Sequence, residues 1–165
     1  MSRVLVALAL FGVVALAAAS GDAQKEWTGK SWLGKWQSLP TDKSENWEAF
    51  VNALAIPEQY TRDLQKTVHT FYKQGDHYHH IFAIPDKNFE KNIEFNLGAE
   101  SSAKHGEHEV KIKYAEDGDK LVADVRIAAK NKHIHDVYEV QGEELVKTYK
   151  VGDVVAKRWF KKIAQ

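Results

Sequence analysis

Two sets of side chains in this sequence could bind something: the histidines and the cations near the C-terminus. Imidazole is the side chain that titrates closest to neutrality, and paired imidazoles chelate transition metals. Of the eight histidines, His77 and His79 stand at i, i+2, as do His133 and His135. On a strand, each pair shares a face. No acidic residue or cysteine completes a recognisable ligand set around them, and His77 to His80 adjoin a turn signal. They are expected to be solvated or weakly paired, and no metal site is assigned. The second set centres on Arg158-Trp159-Phe160. Strand alternation sends Arg158 and Phe160 to one face and Trp159 to the other. A guanidinium stays protonated and its fork matches a carboxylate through two parallel bonds. An inward Arg158 is therefore an anion receptor, and an outward one belongs to a solvated basic run from Lys157 to Lys162. Spacing alone leaves both open. Leu145, Lys147 and Tyr149 likewise share a face. No nucleophile–base pair or carboxylate dyad is evident, so no catalytic residue is assigned and no enzyme is expected.

The elements that must position these residues are mostly strands. From about Lys66 onward, turn signals recur roughly every ten residues, the rhythm of an antiparallel meander. They are Gln74-Gly75-Asp76, Pro85-Asp86-Lys87-Asn88, Leu97-Gly98, Lys104-His105-Gly106, Asp117-Gly118-Asp119, Lys130-Asn131-Lys132, Gln141-Gly142-Glu143 and Val151-Gly152-Asp153. Between them residues alternate: Val110, Ile112 and Tyr114 share one face, as do Leu121, Ala123, Val125 and Ile127. Before the meander, Trp47, Phe50, Val51 and Leu54 make a helical stripe, with Ser44 or Asn46 as its cap. Pro57 suits the first turn of a second short helix reaching Leu64. Trp32, Leu33 and Trp36 centre a first strand. Eight to ten strands in an open meander would leave edges, which closure into a barrel removes. A barrel with a helix pair after its first strand is a lidded cup, wide enough inside for a small ligand.

Composition agrees. The chain has 165 residues, 44% hydrophobic, 11% aromatic and 28% charged. That is the composition of one globular domain. Lys and Arg total 23, as do Asp and Glu. Nucleic-acid binding is not expected, since phosphate recognition needs a cationic face. Cysteine is absent, which excludes disulfides and thiolate chemistry.

Residues 1–20 read as a secretory signal peptide: Arg3, an apolar run from Val4 to Ala19, and a small-residue exit. The run is short of the ~20 residues needed to span hydrocarbon, so stable membrane insertion is not expected. Residues 21–30 are polar and are expected to trail as a flexible segment. Residues 31–165 form the barrel domain.

In this order the motifs resemble the intracellular lipid-binding proteins, the fatty-acid-binding proteins of the calycin group. The matching stretches are Leu33-Gly34-Lys35-Trp36, Ser44-Glu45-Asn46-Trp47, Gly75-Asp76-His77-Tyr78 and Asn92-Ile93-Glu94-Phe95-Asn96-Leu97-Gly98. Asp117-Gly118-Asp119-Lys120-Leu121, Gly142 to Tyr149 and Ala156 to Lys162 complete the set. Two departures stand out: the signal peptide, and a longer segment around Pro40 between Trp36 and Trp47. The resemblance implies a ten-stranded antiparallel up-and-down β-barrel with a short helix-turn-helix lid, here in a secreted version.

It further implies a monomeric carrier of fatty acids or similar small hydrophobic anions, with no resident cofactor. Arg158 and Phe160 fall where that family holds a ligand carboxylate. Tyr138 stands where its other interior arginine would be. Lys147 and Tyr149 sit on neighbouring interior positions, with Asp136 able to pair with Lys147. The acyl chain would run past Tyr114, Ala123 and Val125. Trp47, Phe50 and Leu54 would form the lid, Phe89 corresponds to a portal phenylalanine, and Trp36 would plug the closed end. The competing reading is a binder of a pigment, haem or metal ion that uses the histidine clusters on the same barrel.

Overall fold

The computed structural model describes residues 23–40, 43–55, 66–105 and 108–165. The signal-peptide segment, the second lid helix and part of the Lys104-His105-Gly106 turn lie outside the described residues.

Most of the described residues are in strands. The elements are β1 (Lys25–Glu26), β2 (Gly34–Ser38), α1 (Trp47–Leu54), β3 (Val68–Gln74), β4 (His77–Ile84), β5 (Phe89–Phe95) and β6 (Glu100–His105). Then come β7 (His108–Asp117), β8 (Lys120–Ile127), β9 (Lys132–Gln141), β10 (Glu144–Val151) and β11 (Val154–Ile163). Ten of them form one antiparallel path, β5-β4-β3-β2-β11-β10-β9-β8-β7-β6. The join of β2 to β11, Phe160 opposite Ser38, links the first strand of the path's sequence to the last and rolls the meander into a barrel. Its seam lies between β5 and β6, where Ser101 Oγ donates to the Glu94 carbonyl at 3.1 Å.

Residues 25–27 do not trail as the sequence suggests. β1 pairs with Lys73 and Gln74 of β3, beyond the end of β2, and Trp27 packs on Tyr72 at 5.3 Å. Two strand pairings and an aromatic contact outweigh the polar composition of the segment.

Alternation puts one face of each strand inside. The deep end is filled by Trp32, Leu33, Trp36, Phe71, Phe95, Tyr114, Leu121, Tyr138, Leu145 and Phe160. Trp36 closes it, its indole N–H donating to the Trp32 carbonyl at 3.0 Å. A second cluster, Phe50 and Leu54 of α1 with Ile134, Tyr149, Val151 and Ala156, lies under the helix.

The helix is short and held by tertiary contacts. Its stripe is buried at Phe50, Val51 and Leu54. Its entry differs from the expected cap. Asn46 occupies the cap position with φ 51°, and its side chain makes no capping bond. The amide instead donates to the Val155 carbonyl at 3.1 Å. A backbone bridge between Glu45 and Lys157 fixes the same junction. An eight-residue helix is marginal alone, so this attachment to β11 does what a cap would do elsewhere.

Candidate functional site

The interior carries an uncommon load of polar groups. Buried charge is costly unless paired or hydrogen-bonded, so each such group is informative. Strand register brings Tyr138, Lys147 and Arg158 side by side on β9, β10 and β11. One step toward the helix, Asp136, Tyr149 and Ala156 form the next row.

Arg158 points inward and is only 3% exposed. Its Nη1 donates to Thr67 Oγ1 at 3.4 Å. Its guanidinium lies 4.9 Å from the Trp47 ring and 5.7 Å from that of Phe160. Burial lowers its pKa, and Tyr149 pushes the other way by charge and hydrogen bond. An arginine starts so high that it stays charged.

Lys147 is paired. Its Nζ sits 3.0 Å from Asp136 Oδ2, with both side chains 9% exposed, and it lies over the Tyr149 and Tyr138 rings at 4.2 and 4.9 Å. Burial alone would lower the lysine, but the Asp136 carboxylate and the two tyrosines hold it well above its ordinary value. The second oxygen of Asp136, Oδ1, is buried without a hydrogen-bond partner.

The lid residues and the head-group residues meet. Trp47 packs on Tyr149 at 5.3 Å and Phe50 on Tyr149 at 4.8 Å, so α1 roofs Arg158. Phe89 packs edge-on against Phe82 at 6.2 Å. Tyr114 lies on the far wall, stacked on Phe95 at 3.9 Å.

Sequence reasoning missed two residues. His69 and His80 are buried and bonded, Nδ1 to Nε2, at 2.8 Å, and His80 Nδ1 reaches the Tyr114 hydroxyl at 2.8 Å. His80 is therefore not a solvated turn histidine. Its alternation with Tyr78 and Phe82 was the available signal. Burial first, then the Lys147 charge, lowers both histidines well below their ordinary value. Both are neutral at neutral pH, so His80 donates through one ring nitrogen and accepts through the other, and His69 joins the chain through Nδ1.

The other paired histidines face outward. His77 contacts Asn96 Oδ1 at 3.0 Å and His79 contacts Asn92 Oδ1 at 3.3 Å. His133 and His135 share Asp124 Oδ1 at 3.2 and 2.8 Å. Burial pushes the Asp124 carboxyl up, but the two imidazoles outweigh it and hold it below its ordinary value. His133 and His135 also line a surface cleft of about 810 Å³ with Lys132, Lys150 and Ala53. Among the described residues, no group of three His, Cys, Asp or Glu side chains is placed to hold a metal ion. No described helix is long and apolar enough to cross a membrane.

No protein-family model matches the chain. It is 70% identical over 164 residues to secretory-abundant heat soluble protein 33020 of a Hypsibius species, covering 99% of this chain and 98% of that one. It is 31% identical over 134 residues to the liver fatty acid-binding protein of Bos taurus, covering 79% of this chain and 97% of that one. The crystal structure of a secretory abundant heat soluble protein from Ramazzottius varieornatus matches with a TM-score of 0.79 at 51% identity. The match covers 84% of this chain and 99% of that one.

Proposed function

The chain belongs to the secretory-abundant heat soluble family, secreted proteins with the fatty-acid-binding-protein barrel, and from that premise we propose that it is a carrier of small hydrophobic anions. The anion's carboxylate is held at Arg158, with Tyr149 beside it and Trp47 above. Tyr138 and Phe160 flank the head group. The acyl tail lies along Tyr114, Ala123 and Val125.

The observation that best supports this reading is the buried guanidinium itself, 3% exposed on the inner face. Lys147 is paired with Asp136 at 3.0 Å, and the guanidinium fork of Arg158 is the cation whose shape matches a carboxylate through two parallel bonds. A charge-assisted hydrogen bond there contributes about 1.5–3 kcal/mol. Each buried methylene adds ~0.8 kcal/mol, so the tail supplies most of the affinity and the arginine sets its orientation.

The competing use of the histidines, for a pigment, haem or metal, has less behind it. The outward pairs are engaged by Asn92, Asn96 and Asp124, and the inward pair by each other and Tyr114. In this reading the carrier works as a monomer, without a catalytic step. The relatives' named heat solubility suits a chain with no cysteine and, among the described residues, one large exposed hydrophobic, Val155.

Calorimetric titration of stearic acid and stearyl alcohol tests the head-group role. Arg158→Ala is expected to weaken the acid about tenfold or more, the loss of one charge-assisted bond, and to leave the alcohol nearly unchanged. Equal weakening of both would remove Arg158 from that role.

A further inference from the structure

We propose that the surface cleft beside the end of α1 binds a phosphate monoester, held by Lys132 and Lys150 and bordered by His133 and His135. The cleft measures about 810 Å³, the size of a small-molecule site rather than of a bare ion's. Ala53 of α1 and Val151 of β10 supply apolar lining, and Lys132, His133, His135 and Lys150 supply the basic lining. Among the described residues no carboxylate lines it.

Register assembles the basic wall. His133 and His135 stand two residues apart on the outer face of β9, and Lys150 of β10 is directly opposite His135. Lys132 opens β9 just after Asn131, which turns the chain with φ 46°. Among the described residues neither Lys132 nor Lys150 has an ion pair, whereas Lys111 and Lys120 on the neighbouring strands are paired with Glu100 and Glu139, each at 3.3 Å. Asp124 of β8 is opposite His135 on the same face. Its Oδ1 accepts from His133 Nε2 at 3.2 Å and from His135 Nδ1 at 2.8 Å. The acid is thus engaged by the imidazoles, which it orients, and His133 Nδ1 and His135 Nε2 are the ring nitrogens left for a ligand. Asp153 follows Gly152 in the turn after β10 but does not line the cleft.

Chemistry narrows the class. Two ammonium groups balance a dianion. A phosphate monoester carries about −1.5 to −2 near neutral pH and offers three strong acceptor oxygens. An ammonium meets it as a point charge with three donors. A carboxylate brings less charge, and the planar fork that suits it belongs to arginine, which does not line the cleft. Ala53 and Val151 leave an apolar border for the organic part of the ester. His133, His135 and Lys150 face away from the barrel interior, so the site is separate from Arg158 and does not rest on the carrier reading.

Calorimetric titration of the full chain with glucose 6-phosphate and with glucose tests this, near neutral pH and at low salt, where exposed charges are least screened. Sedimentation with phosphatidylcholine vesicles containing phosphatidic acid presents the same group as a lipid headgroup. The sugar phosphate is expected to bind and glucose is not. Lys132→Gln/Lys150→Gln is expected to weaken the phosphate about tenfold or more, through the loss of two charge-assisted contacts. Lys111→Gln/Lys120→Gln, which removes the same charge elsewhere on the sheet, is expected to leave binding unchanged. The imidazole NMR signals of His133 and His135 are expected to move during the titration while those of His77 and His79 stay. Binding to the vesicles alone, lost in Lys132→Gln/Lys150→Gln, assigns the site to a headgroup rather than a free ester. Equal weakening by the two lysine pairs, equal binding of glucose, or no binding of phosphate in either form overturns the inference and leaves the carrier intact.

Discussion

His69, His80 and Tyr114 show what a single residue's environment decides. His80 closes a histidine run that begins at a hairpin turn, so local composition pointed outward, and His69 carried no separate signal. Only the two-residue alternation, His69 with Phe71 and His80 with Phe82, carried the inward direction. Burial makes the neutral form the stable one in the fold, whereas an unfolded histidine titrates near 6.5. A depressed folded pKa means stability is complete above about pH 6.5 and is lost as pH falls below it. Between pH 7 and 5, urea denaturation is expected to show stability falling with acid, by up to about 1.4 kcal/mol per pH unit for each histidine. His69→Leu/His80→Leu/Tyr114→Phe, which removes the whole hydrogen-bonded chain, is expected to flatten that slope. A flat profile in the unaltered protein contradicts the burial of the pair. Arg158 was the opposite case. Its alternation with Trp159 named its face correctly, and the family resemblance named which side of the sheet was inside. What could not be read was its partner, because Trp47 meets it only once α1 is docked.

At the scale of elements, the strands and most turns were legible because their signals are local: period-two alternation and glycine at hairpin tips. The helix stripe was legible for the same reason. Its cap was not, since the Asn46 amide is taken by the Val155 carbonyl at 3.1 Å, a contact between distant segments. The trailing segment was misread for the same cause, as β1 exists only because β3 extends past β2. Gly34 shows a local rule at work at the head of β2. Its φ of +136° is one that L side chains rarely adopt. An added Cβ would come within 2.8 Å of Lys162 Cε, but that flexible end moves aside at little cost. The backbone conformation is the real constraint. Gly34→Ala is expected to lose about 1–3 kcal/mol of stability, read from the urea midpoint, with Lys162→Ala failing to restore it. Restoration by the second change would make the contact, not the backbone, responsible.

Over the whole molecule, the charges divide by position. The sequence sums to zero net charge, and exposed pairs such as Lys30–Glu116 at 3.0 Å and Lys120–Glu139 at 3.3 Å balance the outside. The described interior holds two cations against one acid. The barrel was legible from the meander and its need to close its edges. The pairing of Lys147 with Asp136 was legible as an option on two strand faces, and register turned that option into a contact. In the proposed carrier, the inward guanidinium of Arg158 is the receptor for the acid. A crystal structure of the protein with stearic acid tests that most directly. A carrier gives carboxylate oxygens about 2.7–2.9 Å from the Arg158 guanidinium nitrogens, with the tail under α1 and along Ala123 and Val125. A ligand found only on the outer surface, or one whose carboxylate lies away from Arg158, would contradict it.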